Sequence, residues 1–128
     1  MMREPDSGPS ETRTHPDFFS DYKQTQMIIY NVTVNIDDRV RDDWKDWMLS
    51  VHIPEVMDTG FFTEYKFCRL MNEEPQGTTF AIQYFCPSMK RLQQYLDDFA
   101  PDLQKSHTER YKDKFVAFRT FLEVEDKG

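Results

Sequence analysis

The chain has 128 residues, which is enough for one domain with a single hydrophobic core. Hydrophobic residues make up 38% of the chain and aromatic residues 15%, which excludes a wholly disordered protein. Sixteen basic residues face 23 acidic ones, and the formal charge of −7 would repel nucleic-acid phosphates and anionic lipid surfaces. The composition therefore predicts a globular protein with neither nucleic acid nor membrane as a partner.

Residues 1–26 differ in character from the rest of the chain. They carry three prolines, charges of both signs and little hydrophobic pattern, which predicts a disordered N-terminal extension. They show no hydrophobic stretch typical of a signal peptide, and no run in the chain approaches the ~20 apolar residues of a membrane-spanning helix. We therefore expect a folded domain over residues 27–126 and a cytoplasmic location.

The first predicted elements are a strand and a helix. Residues 27–35 are rich in β-branched side chains and predict strand 1. Asp37 and Asp38 suit the start of a helix, whereas Pro54 and Gly60 indicate where it is disturbed and where it ends. The apolar stripe of this helix is predicted to comprise Val40, Trp44, Trp47, Met48 and Val51.

Two further strands are predicted over residues 61–71 and 78–86, joined by a turn that holds Pro75 and Gly77. If Asn72 pairs with Thr78, Cys86 lies opposite Glu64. Cys68 is then about 13 Å away along the strand, whereas a disulfide needs Cα atoms within ~7 Å. Both cysteines are therefore predicted to be free thiols, which suits a reducing compartment.

A second helix is predicted from about residue 87 to residue 111, with Pro101 dividing or kinking it. Residues 115–125 then predict strand 4. The order β-α-β-β-α-β is typical of an α+β, ferredoxin-like fold in which two helices cover one face of a four-stranded antiparallel sheet. The helices leave the other face open.

This open face is predicted to be too apolar for water. Strands 3 and 4 place hydrophobic side chains on both of their faces: Phe80 and Phe85 lie on opposite faces of strand 3, and Phe118 and Phe121 on opposite faces of strand 4. Each apolar side chain buried there would contribute roughly 1.5–3 kcal/mol. We therefore expect a homodimer in which two sheets pack face to face. A monomer with a mildly apolar sheet face is the alternative.

Three runs of sequence resemble a known bacterial family. They are MIIYNVTVNID from residue 27, WKDWM with HIPEVMDTGFF over residues 44–62, and KFVAFRTFLEVE over residues 114–125. Together they resemble the family called domain of unknown function 4286, which is similar to the dimeric α+β barrel proteins. That superfamily includes antibiotic-biosynthesis-monooxygenase-like, EthD-like and NIPSNAP-like proteins. The resemblance implies a fold and a dimer, and no established activity.

Candidate ligand-binding residues come mainly from the predicted cleft between the helices and the sheet. His52 near the end of the first helix is a candidate base or haem ligand, or simply a helix-capping residue. Arg119, between aromatic residues, is expected to form an ion pair with Glu64 or Glu123, or to reach an anionic ligand. The other candidates are aromatic residues, for which core packing is the competing interpretation: Trp44, Trp47, Tyr30 and Tyr65.

Other sequence features predict little chemistry. His107 lies among charged residues and is predicted to be solvated. No pair of His, Cys or carboxylate residues has metal-ligand spacing, and no metal or other cofactor is predicted. Gly77, Phe80 and Tyr84 have the order of an RNA-recognition strand, but the basic residues of that motif are missing.

Two classes of function are open from the sequence. The first is a homodimeric module that binds a small apolar ligand or only supports an assembly, which needs no catalytic set of residues. The second is a small monooxygenase-like enzyme that would use the helix–sheet cleft, with His52, Trp47 and Tyr30.

Overall fold

A computed structural model describes residues 26–72 and 74–128. The predicted N-terminal extension, except for Gln26, lies outside the described residues. The elements are β1 (Ile28–Ile36), α1 (Arg41–Trp47), α2 (Ile53–Asp58), β2 (Glu64–Arg69), β3 (Thr78–Cys86), α3 (Met89–Asp98), α4 (Ala100–Arg110) and β4 (Phe115–Glu123). With α1–α2 and α3–α4 as the two helical connections, this order confirms the predicted ferredoxin-like α+β fold.

The strands form one antiparallel sheet in the order β2-β3-β1-β4, so β3 and β1 are its inner strands. Tyr30 of β1 lies opposite Tyr84 of β3 and Phe121 of β4, and side chains in register share a face. Burial alternates along the strands, because every second residue points toward the helices. Trp44 of α1, for example, packs on Phe80 at a ring-centroid distance of 5.1 Å. We call the side of the sheet that faces the helices the covered face.

The β2–β3 hairpin is shifted by one residue from the predicted register. Glu64 lies opposite Phe85 instead of Cys86, and Cys68 lies opposite Ala81. Because a shift of one residue moves a side chain to the other face, Cys68 and Cys86 belong to opposite faces of the sheet. Both are free thiols, as predicted.

The first helical connection contains a π-helical turn, Met48–His52, between α1 and α2. The Ile53 N–H donates to the Met48 carbonyl, five residues back, instead of four. Pro54 has no N–H to donate to the Ser50 carbonyl, so an unbroken α-helix would lose a hydrogen bond at this place. The connection ends as predicted at Gly60, which adopts a φ of +83°.

The π turn changes which residues of the helix are buried. Val51 was predicted in the apolar stripe, but it is 38% exposed. His52 takes the inward position and is 9% exposed. The wider turn inserts one residue into the helical repeat, so the buried stripe continues one position later than a 3.6-residue period predicts.

The second helical connection begins at Ser88, whose hydroxyl accepts a hydrogen bond from the Arg91 N–H at 3.2 Å. It divides at Phe99, and Pro101 occupies the first turn of α4, as predicted for a proline that cannot continue α3. None of the helices in the described part of the chain is long and apolar enough to cross a membrane.

The opposite side of the sheet, which we call the uncovered face, has no described element packed on it. Its most exposed hydrophobic side chains all belong to β4: Val116 is 70% exposed, Phe118 58% and Leu122 45%. The twelve side chains that β1, β3 and β4 present on this face carry no charge. They are Ile29, Asn31, Thr33, Asn35, Thr79, Ala81, Gln83, Phe85, Val116, Phe118, Thr120 and Leu122.

Candidate functional site

A small polar pocket of about 30 Å³ lies between the helices and the covered face. Hydrophobic residues such as Val34, Met48 and Leu103 form about half of its lining. The other lining residues are polar or aromatic with polar tips: Tyr30, His52, Tyr84, Tyr95, Gln104, His107 and Arg119. So many polar groups inside a domain core are unusual, because an unpaired buried polar group is costly. The pocket is therefore the strongest candidate for a functional site.

His52 reaches this pocket from the π turn. Its Nδ1 is buried and has no hydrogen-bond partner among the described residues. The ring stacks on Trp47, with centroids 5.0 Å apart. Burial, and then the positive charge of Arg119, lower the pKa of His52 to about 4. The imidazole is therefore neutral at neutral pH and can still form a hydrogen bond through Nδ1.

His107 enters the same pocket from α4. Its Nε2 accepts a hydrogen bond from the Trp44 indole N–H at 2.9 Å, and its ring centroid lies 5.7 Å from that of His52. Burial lowers the pKa of His107 to about 4, with smaller contributions from His52 and Arg119. Since Nε2 is the acceptor, the neutral ring carries its proton on Nδ1.

The prediction that His107 is solvated is wrong, because its side chain is only 8% exposed. A signal for burial was present in the spacing: Ala100, Leu103, His107 and Tyr111 recur at helical intervals and share one face of α4. The charged residues next to His107 in sequence lie on other faces of the helix, so their exposure does not predict that of His107.

Arg119 projects from β4 onto the covered face and is half-buried. Its Nε donates to the Tyr30 hydroxyl at 3.2 Å, and the Gln104 side-chain amide approaches the same oxygen at 3.5 Å. The predicted ion pair with Glu64 or Glu123 does not form among the described residues. Glu64 lies on the far edge strand and the other face, and Glu123 is four residues, or about 13 Å, further along β4.

The structure brings three of the six sequence-predicted candidates together in the pocket, namely Tyr30, His52 and Arg119. Trp44 is fully buried and does not line the pocket, but it donates a hydrogen bond to His107, which does. Trp47 lies on the outer side of the two histidines, and Tyr65 is 38% exposed on the edge strand β2. The six candidates omit four of the seven polar lining residues, namely Tyr84, Tyr95, Gln104 and His107.

The size of the pocket restricts what it can hold. A water molecule needs roughly 10–15 Å³ measured in this way, so about 30 Å³ accommodates two waters or a head group of similar size. Sites for drug-sized ligands are about 300–1,000 Å³. Haem does not fit the pocket in this form. In the described part of the chain, no group of three or more His, Cys, Asp or Glu residues could hold a metal ion.

Fold and site together define a ferredoxin-like α+β domain with a polar pocket between its helices and its sheet. The profile of one family, described as domain of unknown function (DUF4286), matches residues 27–125. The chain therefore belongs to this family, as the sequence resemblance predicted. The comparison with curated proteins finds no match.

Several solved structures share the fold. An EthD-like protein from Ralstonia eutropha JMP134 is 15% identical with a TM-score of 0.60, covering 81% of this chain and 96% of its own. A protein provisionally described as an antibiotic biosynthesis monooxygenase, from Caulobacter crescentus CB15, is 13% identical with a TM-score of 0.58, covering 86% and 100%. A dimeric ferredoxin-like protein from an uncultured marine organism is 12% identical with a TM-score of 0.55, covering 80% and 99%. These likenesses show the fold, which is the one that the sequence resemblance implied.

Proposed function

We propose that this domain is a homodimeric ligand-binding module whose ligand places its polar group in the helix–sheet pocket. One observation carries the proposal: Tyr30, His52 and Arg119 converge at a cavity in which the buried Nδ1 of His52 has no hydrogen-bond partner among the described residues. Burying a polar atom such as this Nδ1 is costly unless something pairs with it. A ligand that binds there would supply the missing hydrogen bonds. The ligand therefore needs a polar group, in addition to the apolar character expected from the sequence.

The uncovered face supports the homodimer. A second copy of a chain with a net charge of −7 is repelled unless the contact surface is neutral, and the twelve side chains defined above are uncharged. Strands of nine residues span about 30 Å, and the three strands β3, β1 and β4 span about 14 Å, so the uncharged part of the face covers roughly 420 Å². A standard interface takes about 800 Å² from each partner, which is of the same order. The description of one structural relative as dimeric agrees with this arrangement.

A small monooxygenase-like enzyme is the second candidate. It is favoured by the pair of neutral imidazoles in the pocket and by the provisional description of one structural relative as an antibiotic biosynthesis monooxygenase. A general base works best when its pKa lies near the operating pH, whereas the pKa of each histidine here is about 4. Binding is therefore the function that the geometry supports better.

Sedimentation velocity from 1 to 100 µM tests the homodimer on the full chain. We expect the wild type to form dimers and Phe118→Asp to weaken them by about 100-fold or more, because each of two symmetric contacts loses roughly 1.5–3 kcal/mol. Leu49→Asp is the matched control, since Leu49 is 44% exposed but belongs to the helical layer. A wild-type chain that stays a single subunit at 100 µM would contradict the dimer.

The pocket is tested by NMR of the histidine imidazoles, of which the chain has three. The probes are four three-carbon compounds: propionate, propionamide, 1-propanol and propylamine. We expect at least one of them to shift the His52 and His107 resonances in a saturable way. Ala117→Leu, which fills the pocket from β4, should abolish the shifts. If none of the four probes moves either resonance, the helix–sheet layer is purely structural.

A further inference from the structure

We infer that the pocket selects an oxyanion, and that its ligand is a small molecule bound through a carboxylate-type head group. This inference rests on the proposed binding function and names the chemistry of the ligand. Three independent properties of the pocket carry it: its charge, its supply of hydrogen-bond donors and its size.

The charge of the pocket opposes that of the protein. Acidic residues outnumber basic ones by 23 to 16 in the chain, yet no Asp or Glu is among the described residues that line the pocket. Both lining histidines are neutral at neutral pH, so Arg119 provides the one formal charge of this lining. An anion is attracted to such a site and a cation is repelled.

Of the six arginines in the described part of the chain, three have a carboxylate partner there, and Arg69, Arg91 and Arg119 have none; among these last three, Arg119 alone lines the pocket. Arg39, Arg41 and Arg110 each lie within 4 Å of an aspartate carboxylate, and all three are on the surface. Arg119 is half-buried and has no carboxylate partner within residues 26–72 and 74–128. An anionic ligand in the pocket would give the Arg119 guanidinium the counter-charge that it lacks among these residues.

The pocket has hydrogen-bond donors that have no acceptor among the described residues. The Tyr30 oxygen already accepts from Arg119 and Gln104, and its own O–H donates to no described group. Arg119 uses one of its five N–H donors on Tyr30. His52 adds an unpaired Nδ1, which donates in one of the two neutral tautomers. A carboxylate is acceptor-only and has about four lone-pair sites, so it matches this set better than an alcohol or an amine.

The size of the pocket fits a head group and not a whole ligand. About 30 Å³ accommodates the three heavy atoms of a carboxylate in place of two waters. The rest of the ligand would lie toward Leu103 and Ala117, where α4 meets the edge strand β4. The carbon chain of such a ligand is thus expected to be slender at the end that carries the carboxylate.

The four three-carbon probes separate the charge of the ligand from its shape. We expect propionate to bind at least tenfold more tightly than propionamide, which has the same shape without the charge, and propylamine to be the weakest. Arg119→Gln should abolish the preference for propionate while the fold, checked by circular dichroism, is kept. Arg119→Lys should retain part of the preference, because it keeps the charge and loses the planar donor pair.

The outcomes distinguish this inference from the function on which it rests. Equal binding of propionate and propionamide, or a preference for 1-propanol or propylamine, would keep the pocket and overturn its selectivity for anions. A preference for propionate that persists in Arg119→Gln would also overturn the assignment. Failure of all four probes would remove the binding function itself.

Discussion

The two faces of the sheet are made by alternate residues of the same strands, yet their chemistry differs. On the covered face, Tyr30 and Tyr84 are 2% and 3% exposed and belong to a continuous aromatic cluster. On the uncovered face, Phe118 is 58% exposed, and the polar side chains that β1, β3 and β4 present are uncharged, with Asn31 donating a hydrogen bond to Thr120. One face therefore builds the core of the domain, and the other is suited to contact with a second molecule.

The comparison also shows where the covered face departs from a simple core. A core is most stable when its side chains are apolar, but here Arg119 and two histidines interrupt the hydrophobic packing. Such local departures from the rules of stability are concentrated at functional sites in natural proteins. The polar pocket thus differs from the hydrophobic core that surrounds it on the covered face. The uncovered face differs from a stable surface in one respect, which is that its hydrophobic side chains are exposed.

The largest expected effect is a difference between two aromatic truncations, one for each face. Trp44→Ala should lower the free energy of unfolding by about 3–5 kcal/mol, because it leaves a large cavity and removes the hydrogen-bond donor to His107. Phe118→Ala should change the unfolding free energy of the single subunit by only about 0.5 kcal/mol. Urea unfolding followed by circular dichroism measures both.

Running both titrations at 2 and 100 µM protein separates folding from assembly. The cost of Trp44→Ala should appear at both concentrations, whereas the cost of Phe118→Ala should appear only at the higher one, where dimers form. A loss above about 2 kcal/mol for Phe118→Ala at 2 µM would contradict the division between the faces, because it would place Phe118 in a core.

The strand pattern is the reason that much of this division could be predicted from the sequence. Alternation along strand 4 placed Val116 and Phe118 on one face and Ala117 and Arg119 on the other, as in the structure. Turn and cap residues such as Gly60 located the ends of elements. The hairpin register was missed by one residue, because several turn lengths fit the residues that link β2 and β3.

The pocket was harder to predict than the sheet. His52 was singled out, but the helical period placed Val51 inward because a π turn leaves no mark in a 3.6-residue pattern. His107 was assigned from its charged neighbours in sequence, although its partner Trp44 lies 63 residues away. Contacts of that range depend on how two helices meet over the sheet, which local patterns do not determine.

Acid should weaken the covered face selectively. The pKa of His52 and of His107 is lowered from 6.5 to about 4 in the folded state, so the unfolded chain takes up protons first as the pH falls. Stability should therefore decline from about pH 6.5 to pH 4, by up to about 3 kcal/mol for each histidine, and these two groups should cause no further loss below that window. Urea unfolding between pH 4.5 and 7.5 measures the slope.

His107→Gln is the matched variant for this prediction, since a glutamine oxygen can still accept the hydrogen bond from the Trp44 indole. The variant should show a shallower decline with falling pH than the wild type. Because carboxylates titrate equally in both proteins, the difference between the two slopes reports the histidine alone. Equal slopes would contradict the prediction, because they would show that folding does not lower the pKa of His107.

The smallest expected effect uses the two cysteines, one on each face, as reporters of the same comparison. Cys86 is fully buried on the covered face, its thiol contacts the Ser88 carbonyl oxygen at 3.4 Å, and burial raises its pKa. Cys68 is exposed on the edge strand β2, on the uncovered face. Since the thiolate is the reactive form, an aromatic disulfide reagent at pH 8 should modify one thiol per chain rapidly and the second only in urea.

The dependence of the Cys68 reaction rate on protein concentration then tests whether a second copy packs on the uncovered face. If two sheets pack together, Cys68 on the flank of the interface should react somewhat more slowly at 100 µM than at 2 µM, and Phe118→Asp should remove that dependence. Cys68→Ser, which should leave no fast-reacting thiol, assigns the signal. A Cys68 rate that is the same at both concentrations in the wild type would place β2 outside the contact and confine the interface to the strands β3, β1 and β4.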